Sequence, residues 1–150
     1  MRLYPEAPAV RVLGERTYQT KRIHRYGWTL EGRDFRLTLP KGFIFDGASF
    51  PAPARVVYDT WSLGVWPVLI HDYAYRYGGR VPRRAYEELV GARWYHVPGG
   101  MDRYTADWLM LDLMRDKGVG RLRRNLAFHA IRAGGWRSWR RGLRGEKDHA

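Results

Sequence analysis

The chain has 150 residues, 45% of them hydrophobic and 15% aromatic, which suits one ordinary domain with a real core. It contains no cysteine, and this excludes a disulfide framework and a thiolate metal site. Lys and Arg number 27 against 15 Asp and Glu, giving a formal net charge of +12. That charge favours nucleic acid, an anionic membrane or an acidic protein surface as a partner, unless it only reflects an Arg-rich composition. Neither a transmembrane segment nor a signal peptide is predicted, because no run reaches roughly 18 apolar residues and the N-terminus lacks a sustained apolar region.

Alternating β-favouring stretches occupy the first third of the chain. Residues 9–13 and 16–23 are separated by a Gly-Glu turn and predict an N-terminal hairpin. Residues 26–30 and 35–39 alternate more clearly on either side of Glu31-Gly32-Arg33-Asp34 and predict a second hairpin. The pattern then breaks and leads into a loop of Asp, Gly, Ser and Pro at 46–51.

Helical signals follow the strands. The stretch 66–79 begins with an early proline and ends at two glycines, so it predicts a helix of about three turns, whereas 51–65 is compatible with a short helix or an irregular segment. Further helices are predicted at 81–94, at 102–117 with Asp102 as N-cap, and at 121–133. The order of elements indicates an α+β fold, with N-terminal antiparallel hairpins or a small sheet followed by a cluster of about four helices. Residues 1–135 are predicted to form this single domain, and 136–150 a basic, flexible tail.

Polar residues interrupt the apolar pattern at three places. Asp46 lies in the loop after the strands, His71 and Asp72 lie on the first clear helix, and Asp107 lies on a later helix. Because a helix-borne His serves as a general base or metal ligand and a carboxylate fixes its tautomer, these residues together suffice for hydrolysis. We expect His71 as base or ligand, Asp46 and Asp72 with His71 around a divalent cation (calcium, magnesium or zinc), and Asp107 orienting His71.

Two further side chains complete the predicted site, and a purely structural interpretation stays open. Tyr75 lies four residues after His71 on the same helix face, and Ser49 lies in the preceding loop, so both are candidates to supply hydrogen bonds to the reaction. In the structural alternative, Asp46 and Ser49 cap or stabilise a turn, and His71 is a hydrogen-bonded core residue. Asp107 then pairs with a buried arginine such as Arg103.

Three ordered motifs resemble a known family. They are G-F-I-F-D-G-A-S-F-P at 42–51, H-D-Y-A-Y at 71–75 and D-R-Y-T-A-D at 102–107, followed by Gly-Val at 118–119 and an Arg-rich helix. In this order they resemble the phage and prophage proteins grouped as domain of unknown function 1353. The resemblance covers about residues 26–135 and implies a phage origin and a shared polar site, without an established activity.

One departure from the family pattern and two weaker resemblances bear on the site. Residues 79–100 look like a segment inserted between the second and third motifs. The motif at 71–75 is similar to the catalytic helix of phospholipase A2, whose His is a base and whose Asp binds calcium, and Asp107 matches its later His-orienting carboxylate. The cysteines and Gly-rich calcium loop of that family are absent. A His-Asp phosphohydrolase is a further interpretation, with His24 or His96 as an extra ligand.

The C-terminal region is a rival functional centre. Residues 121–144 contain eight arginines and no acidic residue, with two tryptophans interleaved. Such a segment can grip phosphates while indoles stack, or it can simply be a solvated helix face. The candidate residues for anion or partner binding are Arg121, Arg123, Arg124, Arg137, Arg140, Arg141, Trp136 and Trp139.

Three functional hypotheses result. The first is a phage or prophage protein, attached to the virion tail or involved in lysis, with a His/Asp site that hydrolyses a substrate with the help of a metal; it would reside in the virion or host cytoplasm beside other phage structural proteins. The second is a non-catalytic structural or assembly module in which the same residues form a buried polar network. The third is a basic accessory protein that binds nucleic acid.

Overall fold

The computed structural model describes residues 7–46 and 63–145 of the chain. Within them seven strands form two antiparallel sheets and four helices follow or interrupt the strands. The strands are β1 (Val10–Gly14), β2 (Thr17–Thr20), β3 (His24–Leu30), β4 (Arg33–Leu39), β5 (Ile44–Phe45), β6 (Tyr86–Val90) and β7 (Arg93–His96). The helices are α1 (Val65–Arg76), α2 (Arg103–Asp116), α3 (Arg121–Gly134) and α4 (Trp136–Leu143). The predicted α+β fold class is confirmed.

The two predicted hairpins are present. β1 pairs with β2, and β5 joins them to make a three-stranded sheet. β3 pairs with β4 in the second sheet, in the order β3-β4-β6-β7. Glu31 and Gly32 join β3 to β4 with φ of 52° and 74°. Two positive φ values are the mark of the turn whose twist matches an antiparallel hairpin, so Gly at the second position suits the connection.

The inner face of the four-stranded sheet is aromatic. Trp28 of β3 stacks on Phe35 of β4 and on Tyr86 of β6, with ring centroids 5.9 and 5.7 Å apart. Tyr26 reaches across to Trp66 of α1 at 6.0 Å. Because side chains alternate along a strand, the opposite face of this sheet points away from the helices.

The prediction of a helix over residues 81–94 is wrong. This segment forms the β6–β7 hairpin, and Gly91, with φ of 63°, starts its turn. Tyr86 lies opposite Leu37 of β4 and stacks on Trp28. These contacts with distant strands outweigh the weak helical pattern of the segment, and the local sequence does not reveal them. The segment that we interpreted as an insertion therefore extends the sheet by two strands.

Helix α1 is the most buried element, and it ends where the two glycines predict. The backbone N–H of Gly79 donates to the Ala74 carbonyl at 2.8 Å, and Gly78 and Gly79 have φ of 54° and 78°. α2 packs along α1 and starts at Asp102, whose carboxylate accepts from the backbone N–H of Thr105 at 2.9 Å as predicted. α3 packs in turn on α2.

Residues 136–143, which we expected to belong to a flexible tail, form α4 and close the core. Trp139 is buried and meets the ring of Tyr75 edge-on, with centroids 5.1 Å apart. A Cβ added to Gly142 would overlap the backbone oxygen of Tyr75, so a glycine is needed for this close approach. The many arginines around Trp139 make this segment look uniformly polar in the sequence, although Trp139 faces the core and Trp136 faces solvent. No helix within 7–46 and 63–145 is long and apolar enough to cross a membrane.

Candidate functional site

Helix α1 presents two neighbouring polar side chains to the helical core. His71 and Tyr75 lie one turn apart with ring centroids 4.0 Å from each other. His71 is 0% exposed and Tyr75 is 2% exposed. Ten residues of the helix are buried, His71 and Tyr75 among them. Groups buried this deeply need partners, because an unpaired polar atom in the core costs free energy.

Asp107 of α2 supplies the partner for both side chains. Its Oδ1 lies 2.9 Å from His71 Nε2 and accepts a hydrogen bond from the Tyr75 hydroxyl at 2.6 Å. An ionised carboxylate can only accept, so the shared proton belongs to Nε2 of the imidazole. The three predicted residues therefore converge, and they are called the His–Asp–Tyr centre below.

Two arginines complete the surroundings of the centre. Arg132 of α3 donates through Nη1 to Oδ2 of Asp107 at 2.8 Å. Arg103, one turn before Asp107 on α2, donates through Nε to the Tyr75 hydroxyl at 3.1 Å and lies 3.8 Å from Asp107 Oδ2. Its Nη2 also donates to two α3 carbonyls at 2.8 Å. These contacts join α1, α2 and α3 through one carboxylate.

Sequence reasoning named Arg103 as a partner of Asp107, but it missed Arg132, which has the shorter contact. Arg132 is one of eight arginines in the C-terminal region, and nothing in that composition singles it out. Its position next to the buried Ile131 is the only local signal of an inward-facing role. A charged residue at the margin of an apolar helix face is too common to identify a site by itself.

The electrostatics keep Asp107 ionised. Burial by itself would raise the pKa of Asp107, but the hydrogen bonds from His71, Tyr75 and Arg132 hold it below the ordinary value. Burial and the adjacent Asp107 carboxylate together raise the pKa of the Tyr75 hydroxyl, so Tyr75 is a neutral donor. The centre thus combines an anionic carboxylate with donors fixed on three sides.

Asp72 points to a different set of contacts. Its Oδ2 accepts the backbone N–H of Asp46 at 3.1 Å, and this ties the end of β5 to α1. Asp72 is 8% exposed. Asp46 is thus brought next to α1 as predicted, through its backbone. The predicted hydrogen-bonding residue Ser49 lies outside the described residues.

The predicted metal set of Asp46, Asp72 and His71 does not come together as a cation site in the described chain. Among residues 7–46 and 63–145, no group of three or more His, Asp or Glu side chains has the arrangement to hold a metal ion. His71 Nε2, one of its two potential ligand atoms, faces Asp107 instead.

The two other histidines considered as ligands lie away from the centre. His24 is buried, with Nε2 3.3 Å from the Ala9 carbonyl and its ring edge-on to Trp66. His96 lies on β7, on the outer face of the four-stranded sheet. Neither geometry supports a multi-histidine phosphohydrolase site.

The C-terminal arginines and tryptophans are divided between core and surface. Trp139 is a core residue, so it is not available for stacking on a partner. Trp136 is 41% exposed and lies under the guanidinium groups of Arg137 and Arg140, at 5.3 and 4.9 Å. Arg124 donates to the Val119 carbonyl at 3.0 Å. The remaining candidates, which lie exposed on α3 and α4, are Arg121, Arg123 and Arg141.

Comparison with known proteins places the chain in a family. No curated protein and no solved structure matches it. The family model described as "Protein of unknown function (DUF1353)" matches residues 26–131, a region that includes His71, Tyr75, Asp107 and Arg103. Since this match spans more than half of the 150 residues, the chain belongs to the DUF1353 family.

Proposed function

We propose that the chain is a phage-type hydrolase in which His71 is the general base and Asp107 and Tyr75 position its imidazole. The main support for this proposal is the 2.9 Å contact between His71 Nε2 and the Asp107 carboxylate. Hydrogen bonds from its neighbours keep that carboxylate ionised. With the Nε2 proton directed at Asp107, Nδ1 is the nitrogen that takes a proton from water or a hydroxyl nucleophile. The carboxylate then stabilises the imidazolium that forms. The phage assignment is supported by the three motifs found in the family order.

The division of roles follows from the contacts. Tyr75, with its raised pKa, serves as a hydrogen-bond donor that holds the carboxylate and takes no part in proton transfer. Arg132 fixes the second carboxylate oxygen, so the carboxylate cannot turn away from His71. Asp72 lies on the adjacent helix face and keeps the end of β5 next to the base. These three are positioning residues.

Hydrolysis of defined probes tests this proposal. The probes are p-nitrophenyl butyrate, bis(p-nitrophenyl) phosphate and phosphatidylglycerol vesicles with a fluorescent acyl chain. We expect turnover of at least one probe, with kcat reduced about 100-fold or more in His71→Gln, the scale for a lost general base. The matched control is His24→Gln, which alters a second buried histidine outside the centre and should retain activity. The hydrolase proposal fails if no probe is turned over or if His71→Gln equals the wild type.

A structural module is the second candidate, and the complete burial of His71 favours it. Both oxygens of Asp107 are bonded, and the centre joins three helices. If this role is the whole function, diethyl pyrocarbonate should leave His71 unmodified in the folded protein while modifying the exposed His96, as read by peptide mass spectrometry. Modification of His71 at a rate near that of His96 would instead show that reagents reach the base.

A further inference from the structure

A basic concavity lies on the far side of the four-stranded sheet from the His–Asp–Tyr centre. Its volume is about 710 Å³, within the range of small-molecule sites, which runs from about 300 to 1,000 Å³. We call it the outer basic pocket. Its lining includes Arg25, Arg36, Arg83, Arg84, Glu87 and Trp94.

Strand alternation explains why the outer basic pocket is polar. Arg25 precedes the buried Tyr26 on β3, and Arg36 lies between the buried Phe35 and Leu37 on β4. Their side chains therefore leave the sheet on the face opposite the aromatic core. The β6–β7 hairpin widens this face, and the Trp94 ring of β7 reaches the Arg36 side chain of β4.

Arg36 is paired with a carboxylate and forms part of the pocket wall. Arg36 donates through Nε to the Glu87 carboxylate at 2.7 Å, and its guanidinium lies 4.3 Å from the centre of the Trp94 ring. Glu87 is 7% exposed. This contact holds the indole in a defined orientation beside the opening, as Arg–aromatic stacking does in preorganised sites.

The other arginines keep their charge available. Arg25, Arg83 and Arg84 form no ion pair with a carboxylate in the part of the chain that the structure describes. Arg84 has φ of 67°, in the left-handed region that a non-glycine side chain seldom adopts, within a turn closed by the Ala85 N–H to Pro82 carbonyl bond at 2.9 Å. Such local strain is concentrated at functional sites. Three unpaired cations at one concavity attract a multiply charged anion.

An aromatic ring, that of Trp94, lines the same pocket as these cations. Trp94 is half-buried, and it lies two residues before His96 on β7, so both side chains leave the sheet on the same face as Arg36 and Glu87. Phosphate oxygens match the arginines, and a planar base matches the aromatic and guanidinium surfaces. We propose that the outer basic pocket binds a nucleotide unit, with Arg25, Arg83 and Arg84 on the phosphates and the Trp94 and Arg36 side on the base. The unit could come from a free nucleotide or from a single strand of DNA.

Calorimetric titration distinguishes these two sources. The probes are ADP, a ten-residue oligothymidylate and inorganic pyrophosphate, each added to the full chain. We expect ADP or the oligonucleotide to bind with Kd below about 1 mM, and pyrophosphate to bind at least about tenfold more weakly than that nucleotide. Binding of ADP identifies a free nucleotide as the ligand, whereas binding of the oligonucleotide alone identifies a strand. If pyrophosphate binds as tightly as ADP and the oligonucleotide, the assignment of the pocket to nucleotides is overturned.

A matched pair of charge reversals locates the binding. Arg25→Glu alters the pocket, and Arg93→Glu makes the same change on β7 at a residue that does not line it. We expect Arg25→Glu to weaken nucleotide binding about tenfold or more and Arg93→Glu to change it by about twofold at most. Arg83→Glu, in an exposed turn, provides a second pocket variant if Arg25→Glu lowers the melting temperature. Equal weakening by pocket and control variants, or no binding of either nucleotide probe, would overturn the proposal.

Discussion

The His–Asp–Tyr centre and the outer basic pocket use the same residue types in opposite ways. In the centre, Arg132 and Arg103 lie beside one carboxylate that is 1% exposed, and Arg132 donates to it directly. In the pocket, Arg25, Arg83 and Arg84 lie at the surface. The carboxylate that lines the pocket is that of Glu87, and it is already paired with Arg36. Burial requires that charges be paired, whereas solvent tolerates unpaired cations and leaves them free to bind. Substitutions in the two regions should therefore differ in what they damage.

The largest expected loss of stability comes from Asp107→Asn. This change removes the buried anion and leaves the Arg132 guanidinium without its carboxylate. Breaking a buried pair in this way should lower the free energy of unfolding by about 3 kcal/mol. Urea unfolding followed by circular dichroism measures the change. The matched control Asp116→Asn, at an outer position of the same helix with an Arg115 contact of 4.0 Å, should cost below about 1 kcal/mol.

The loss of unfolding free energy in Asp107→Asn should also depend on pH. The pKa of Asp107 is lowered in the fold from an ordinary value of 3.8, so its carboxylate stabilises the fold fully above about pH 4. This contribution is lost as the pH falls through the lower folded pKa. The gap in unfolding free energy between wild type and Asp107→Asn should therefore narrow below pH 4. A gap that is constant from pH 6 to pH 2 would mean that the carboxylate is not held ionised.

A smaller loss is expected from Tyr75→Phe. The substitution removes the hydroxyl that donates to Asp107 and accepts from Arg103, while the ring keeps its contact with Trp139. The expected cost is about 1.5 kcal/mol, because a hydrogen bond to a charged group is lost. Thermal and urea unfolding of Tyr75→Phe and of the exposed control Tyr95→Phe would show whether the loss is confined to the centre. Equal stability of both variants would contradict the hydrogen bonds described here.

The smallest effect on stability is expected in the outer basic pocket. Arg25→Glu changes an exposed side chain, so the free energy of unfolding should shift by only about 0.5 kcal/mol, even where binding is lost. The same urea titration measures it. A loss comparable to that of Asp107→Asn would show that Arg25 is part of the fold's own charge network.

The sequence predicted the elements whose signals are local. Alternation identified β3 and β4, the two glycines identified the end of α1, and Asp102 identified the start of α2. The start of α1 lies two residues before the proline that was expected to begin it. The β6–β7 hairpin was missed because Tyr86 is placed by β4 and by Trp28, which lie far away along the chain. α4 was missed because the inward-facing Trp139 and Gly142 lie among arginines. In both cases tertiary contacts outweigh local composition.

The site was predictable to the extent that it rests on residues at special positions. His71 and Asp107 interrupt apolar patterns, Tyr75 lies one turn after His71, and these three converge. Arg132 carries no such signal, since it is one basic residue of a basic helix. The outer basic pocket was invisible for a related reason, because its arginines come from strands and a turn that only pairing in the sheet brings together.

The hydrogen bond from His71 Nε2 to Asp107 is tested most directly by long-range ¹H–¹⁵N correlation of the imidazole. The His71 signals are assigned by their absence in His71→Gln, and His24→Gln serves as the matched control. The geometry requires a protonated, pyrrole-type Nε2 whose hydrogen exchanges slowly, because the ring is 0% exposed and faces a carboxylate at 2.9 Å. A His71 with an unprotonated Nε2 and its proton on Nδ1 would contradict the His–Asp–Tyr centre and the role of His71 built on it.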